Sequence, residues 1–259
     1  MLLPRGYSVS RARKDGFVRY INGVLLDGND NEITVTDVVA DWAELQAIPK
    51  VAGNNNIVLH VDGLGVCGSD WRYKHAYGRW FAVGDPYLKD SYTAVTHGAT
   101  LTTEEVGFQF QLPNDYGGQN KSILQDGDRL IIQALLTKVN AGAGVDGINP
   151  NFKFHTASGT DGTSVASFTP AAANRHVGLE FTFQRTSSTT LRLTGQIHNS
   201  VAGPNVASST TYQGDVVVPN MDTSPEFWQK LTFKCTSTGT DSSLKVENHS
   251  IRIKSSRQG

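Results

Sequence analysis

The chain has 259 residues, a mass of 28.0 kDa and a formal net charge of -1, with 38% hydrophobic and 18% charged residues. A pI near 6.6 gives no whole-chain field to recruit nucleic acid or an anionic membrane surface. The apolar runs fall far short of the roughly 20 residues that a membrane helix needs, so membrane insertion is not expected. Gly is plentiful (26) and Met scarce (2), a composition that points to turns and strands rather than helices.

The amino-terminal stretch is irregular. Residues 1–20 carry Arg5, Arg11, Arg13, Lys14 and Arg19 against Asp15, and the next stretch carries Asp27, Asp30, Glu32, Asp37, Asp41 and Glu44 without a base. Such segments are ordinarily solvated; the sharper reading is a basic arm that docks on an acidic partner surface. One hairpin is expected, from Phe17 to Leu26 around Asn22-Gly23. The start has no apolar core of a secretory signal, so no export signal is expected. Residues 1–35 form the expected arm or anchor.

Residues 36–49 are the one segment with helical spacing: Val38, Trp42, Leu45 and Ile48 recur on one face, Thr36 or Asp37 stands at the cap, and Pro49 ends it. Strands follow at residues 57–62, 70–73 and 79–83, separated by Gly-rich turns. Together, residues 36–88 read as a small connector module sealed by Trp42, Trp71 and Trp80. From residue 90 to 259 the period changes to two. Val106, Phe108, Phe110 and Leu112 share one face, as do Leu130, Ile132, Ala134 and Leu136, and Val177, Leu179, Phe181 and Phe183. In the last strand the apolar parity moves from Leu244 and Val246 to Ile251 and Ile253, which predicts a bulge near Asn248 and His249 or two separate strands. The expected fold class is all-β: an antiparallel, jelly-roll-like β-sandwich of about eight or nine strands.

No catalytic, cofactor-binding or metal-ligating constellation stands out. Cys67 and Cys235 lack zinc or redox spacing, and no His/Asp cluster has metal-ligand spacing. Gly63-Leu64-Gly65-Val66-Cys67-Gly68 spells a nucleotide-binding motif but opens onto a strand, so it reads as a structural turn. His60 and Asp62 share one side of their strand. Among the aromatic residues, Trp42 and Trp80 read as core. Trp71, Tyr73 and Tyr77 read equally as core or as a platform on which sugar rings stack, and Tyr212, Asn149, Asn151, Asn199 and Asn205 suit a binding edge or plain turns.

One pattern is more specific. Leu45 to Pro49 gives Leu-x-x-Ile-Pro, and Val61-Asp62 closes the next strand. Ser69-Asp70-Trp71-Arg72-Tyr73, Gly78-Arg79-Trp80-Phe81-Ala82-Val83-Gly84 and, after a gap, Leu124-Gln125-Asp126-Gly127-Asp128-Arg129-Leu130 follow. This order resembles a small module of tailed-bacteriophage virion proteins, of the tail-fibre or receptor-binding type, in which it leads into a β-sandwich. The resemblance implies a structural protein without an active site or cofactor, often trimeric, held to other virion proteins by its amino-terminal arm (residues 1–35) and contacting host surface glycan with its sandwich. It places the protein in the virion, assembled in the host cytoplasm. Other readings remain open at this stage: a capsid decoration protein or head fibre, a glycan-degrading or esterase tail enzyme, and a free-standing carbohydrate-binding module, which the expected lack of an export signal disfavours.

Overall fold

The computed structural model describes residues 19–21, 24–26, 32–33, 38–91, 95–97, 103–113, 122–140, 148–156, 158–167, 176–200, 208–223, 227–235 and 242–256. The chain divides into two compact units, residues 1–86 with 257–259, and residues 87–256. Arg5, Arg11, Arg13 and Lys14 lie outside the described residues; Arg19 opens the first described strand.

In the first unit, Arg19–Ile21 (β1) and Val24–Leu26 (β2) form the expected hairpin, with Ile21 opposite Val24, so residues 22–23 make the connection. A third strand, Glu32–Ile33 (β3), pairs with β2. The expected helix is shorter than its spacing implied. Val38–Val39 (β4) is a strand lying parallel to Val58–Val61 (β5), and the helix α1 runs only from Trp42 to Ala47. Two consecutive β-branched residues favour the pleated surface over a helical turn. The cap is accordingly Asp41, whose Oδ1 accepts from Glu44 N at 2.9 Å, while Glu44 Oε2 reaches back past the cap to accept from Ala40 N at 2.7 Å, a capping-box-like pair shifted by one residue. Ser69–Lys74 (β6) and Arg79–Ala82 (β7) complete an antiparallel extension of β5.

The inner side of this sheet is an aromatic core. Trp42 meets Trp71 edge-on at 4.8 Å, Tyr73 lies 5.4 Å from Trp80, and all four are buried. The Gly-rich turn is structural, as expected. Gly68 has φ +73, and a Cβ there would collide with the His60 ring, so only glycine fits the turn against that side chain.

The second unit is a two-sheet sandwich of antiparallel strands: Tyr87–Ser91 (β8), Val95–His97 (β9), Glu105–Leu112 (β10), Arg129–Asn140 (β11), Ile148–His155 (β12), Thr163–Ser167 (β13), His176–Ser187 (β14), Thr190–Ser200 (β15), Ser208–Val217 (β16), Phe227–Cys235 (β17) and Ser242–Lys254 (β18). The small sheet has the order β10-β17-β12-β13, and the large one β16-β15-β14-β11-β18-β8, with β9 on the same edge of β18 as β8. First strands pair with last, β10 with β17 and β11 with β18, and each such pair sits in a different sheet; this is the wound, jelly-roll-like order.

The inward residues of the two sheets meet through aromatic rings. Phe152 lies 4.7 Å from Phe181, Phe154 lies 5.0 Å from Phe183, and Phe154 stacks on Phe227 at 5.6 Å. In the last strand, Leu136 faces Val246 while Leu135 faces Asn248, leaving Glu247 as the extra residue. The parity change is therefore a bulge within one continuous strand, at the expected place. One end of the sandwich is locked by Arg185. Its guanidinium binds Asp222 through both terminal nitrogens (2.9 and 2.7 Å), Asp126 through Nε (2.8 Å) and the Leu124 carbonyl (2.7 Å). Burial opposes the charge, but the two carboxylates more than offset it and hold the pKa above its ordinary value.

Candidate functional site

Burial separates the aromatic residues singled out in the sequence. Trp71 and Tyr73 are fully enclosed. Trp71 Nε1 donates to Ser69 Oγ at 2.8 Å, and burial raises the Tyr73 pKa. Neither ring offers a face to a sugar, because a module of this size needs both for its core. Tyr77 differs: it is 49% exposed and touches Phe81 edge-on at 5.4 Å. Tyr212 is half-buried, its ring 5.8 Å from Phe181. Gly195 lies directly between them in the register, opposite Phe181 on β14 and Tyr212 on β16. A Cβ at Gly195 would strike the Phe181 ring, so the two aromatic rings cover the glycine from either side. Tyr212 is thus part of the inner surface rather than an outer platform. Asn149, Asn151 and Asn199 lie within strands, and Asn205 is outside the described residues.

Among the described residues, the outer face of the large sheet is an exposed polar surface. Outward positions follow from the register. One row across the sheet runs Tyr87, Arg252, Ile131, Thr182, Thr194, Gln213, and the next runs Asp90, Ser250, Gln133, Glu180, Gln196, Thr211. The bulge adds to this face. It turns both Glu247 and Asn248 outward, so that Lys245, Glu247, Asn248, Ser250, Arg252 and Lys254 all present polar groups along one strand.

Two clusters organise the face. At one end, Arg252 lies over the Tyr87 ring at 5.3 Å and donates through Nη2 to Gln133 Oε1 at 3.2 Å. Tyr87 is 44% exposed. At the other end, Lys245 pairs with Glu247 at 2.8 Å, and Thr137 Oγ1 lies 3.1 Å from His176 Nδ1. The Lys245 hydrogen bond, with a further one from Thr137, keeps the Glu247 carboxyl below its ordinary pKa. Forked donors and acceptors a few ångströms apart beside one amphipathic ring are the groups that grip a hydroxylated ring in water.

The outer face of the small sheet is organised otherwise. Lys153 and Lys230 face each other across β12 and β17, yet both are buried under the segment that follows β12. Lys153 Nζ binds the Thr160 carbonyl at 2.8 Å and Glu104 at 2.6 Å; Lys230 Nζ binds the Asp161 carbonyl at 2.8 Å. Burial lowers the Lys230 pKa, Asp161 and Glu104 working against the shift and Lys153 with it.

In the first unit His60 stands between two carboxylates, Nδ1 at 2.7 Å from Asp70 and Nε2 at 3.4 Å from Asp62. The Asp62 contact follows the expected shared side; Asp70 was missed because it lies across the strand pair. Among the described residues, no group of three or more His, Cys, Asp or Glu has the arrangement to hold a metal ion. Cys67 is an exposed thiol.

No protein-family model matches the sequence, and neither does any curated protein. Solved structures with a similar chain path include Lectin I from Ulex europaeus in complex with the methyl glycoside of α-L-fucose, at 11% identity, covering 62% of this chain and 92% of that one, TM-score 0.33. They also include the lectin UEA-II complexed with galactose (9% identity, 68% of this chain and 90% of that one, TM-score 0.36). A third is the CBM2 module of the evolved Dit of Lactobacillus casei BL23 phage J-1 (9% identity, 58% and 70%, TM-score 0.25). The fold itself is a predominantly antiparallel β-sandwich with a single short α-helix among the described residues.

Proposed function

We propose that this protein is a structural component of a bacteriophage particle, of the tail-fibre or receptor-binding type, that contacts glycan on the host surface and works by binding rather than by catalysis. The observation that carries the reading is the outer face of the large sheet. Its side chains are committed to one another only in part, and Glu180, Thr194, Thr211 and Gln213 stand exposed along the rows that cross it, with the Tyr87–Arg252 stack at the other side of the sheet. The Trp-rich module ahead of a sandwich supports the assignment to a virus particle. On this reading residues 1–35, with Arg5, Arg11, Arg13, Lys14 and Arg19, attach the protein to other virion proteins, and the particle carries it as a homotrimer. Of the aromatic residues first considered for glycan contact, Tyr77 keeps that role.

The test is binding of fluorescently labelled protein to intact host cells in competition with whole particles. Saturable binding that blocks adsorption and is lost in a Glu180→Ala, Gln196→Ala double variant is the expected result. Binding unchanged by that variant removes the large sheet as the contact. No binding at all removes the receptor role and moves the protein to a decorating position on the capsid. Light scattering after size exclusion reads the assembly, and a 28.0 kDa monomer contradicts the trimer.

A further inference from the structure

We infer that the glycan is uncharged along the stretch that the large sheet grips, and that it lies across the strands with its hydroxyl groups shared among Asp90, Ser250, Gln133 and Glu180. The inference rests on the glycan-contact reading above and adds the ligand's chemical class and direction. These four residues are successive cross-strand partners on β8, β18, β11 and β14. Neighbouring strands stand about 4.8 Å apart, so the row from Asp90 to Glu180 spans about 14 Å, the length of several sugar rings rather than one. Gln196 on β15 extends it by one more strand.

The order of donors and acceptors along the row decides the class. Among the described residues, neither Asp90 nor Glu180 has a hydrogen-bond or ion-pair partner, and Glu180 and Gln196 are exposed. Gln133 Oε1 is taken by Arg252 Nη2 at 3.2 Å, which leaves the Gln133 amide with its N–H groups to give. The row therefore offers an acceptor at Asp90, both functions at Ser250, a donor at Gln133, an acceptor at Glu180 and both again at Gln196. A carboxylate or phosphate only accepts and an ammonium only donates, so either leaves alternate members of the row unmet. A hydroxyl does both, and to a carboxylate it gives a short, charge-assisted bond. The cations of the face are engaged elsewhere. Arg192 is held by Asp215 at 2.9 Å and Lys245 by Glu247 at 2.8 Å, while Arg252 is occupied by Gln133 and the Tyr87 ring. Lys254 has a partner within the protein. Arg129 is exposed but lies four residues along β11 from Gln133, about 13 Å away, so the row itself holds no cation to draw an anion.

The experiment is adsorption of the labelled full chain to intact host cells as sodium chloride is raised from roughly 0.15 to 1 M. It is run on untreated cells and on cells whose sugar diols have been cleaved with periodate, for the parent, Glu180→Gln and Asp90→Asn. Both variants keep the shape of the side chain and remove the charged acceptor. The expected result is adsorption that disappears after periodate, survives the salt, and weakens roughly ten-fold in Glu180→Gln and in Asp90→Asn. Adsorption that disappears after periodate but also falls steeply with salt identifies a charged glycan, and overturns this inference while leaving the glycan contact. Adsorption that resists salt and is unchanged in both variants overturns the row as the place of contact. Adsorption untouched by periodate overturns the glycan reading together with this inference, and so does failure of the parent to adsorb at all.

Discussion

The two outer faces of the sandwich carry similar residues and put them to opposite uses. On the small sheet Lys153, Lys230 and Thr232 are buried, and their polar atoms are taken up by the Thr160 and Asp161 carbonyls and by Glu104. On the large sheet the Arg, Gln, Glu and Thr side chains stand on an open pleated surface. Polarity alone therefore does not mark a binding face; the deciding question is whether the fold has already consumed the hydrogen bonds. A fully satisfied polar layer rigidifies, whereas a partly satisfied and exposed one has capacity left for a ligand.

The sharpest way to break this comparison is to remove a consumed group. Arg185→Ala strips three partners from a guanidinium that is 3% exposed and leaves Asp222 and Asp126 facing one another's neighbourhood without a cation. The expected loss is about 3 to 5 kcal/mol, read by urea unfolding of the full chain. A loss below about 1 kcal/mol would mean that the turn at residues 124–128 holds itself without the clamp.

A backbone constraint comes next. Gly68→Ala forces a Cβ into the His60 ring at a left-handed φ of +73, and the expected cost is about 1 to 3 kcal/mol in the first unit. Thermal unfolding followed by tryptophan fluorescence reads it, because all the buried tryptophans named for that unit's core report on its packing. An unchanged transition would show that the turn swings away from His60 at little cost.

Protonation probes the sandwich edge. His249 stacks on Phe108 between the sheets, ring centroids 4.3 Å apart and planes within 2°. Burial, with Lys89 adding to it and Asp90 opposing it, lowers its pKa from 6.5 to about 4. The folded state thus binds fewer protons than the unfolded state between those values. Stability from this group is complete above pH 6.5, falls as the pH drops through the window, and changes no further below about 4. Solvent screening limits the effect to about 1 to 2 kcal/mol. His249→Phe keeps the stack and is expected to flatten that part of the pH profile. An unaltered slope would move acid sensitivity to other groups.

Much of the fold was legible because burial writes periodicity into sequence. The period-two runs of β11 and β14 are buried on one side and more open to water on the other, and the parity change in β18 located its bulge. Strand β16 was scarcely legible: at the sheet edge, Ser208 to Val217 needs few apolar residues, and Tyr212 and Val216 are the ones that mark its inner side. Helix α1 was overextended because Val38 matches helical spacing as well as it matches a strand. The candidate site was the least legible part. Tyr87, Gln133 and Arg252 meet only through strand order, and the aromatic residues that drew attention in the sequence were mostly those the small module needs for its core. The one signal in the sequence that could have found the face is the bulge, since two successive polar residues at a parity change can share the outer side.

The smallest expected effect tests the open face itself. Arg192 binds Asp215 through Nε at 2.9 Å and Nη2 at 3.3 Å, a two-pronged pair much like that of Arg185 with Asp222, but on the solvated side of β15 and β16. Each partner shifts the other's pKa in the direction of keeping both charged. Water competes for both ends, and holding two long side chains in one geometry costs entropy, so Arg192→Ala is expected to leave the urea unfolding midpoint essentially where the parent has it. A stability loss as large as that of Arg185→Ala would erase the distinction between the consumed and the open polar groups on which the site assignment depends.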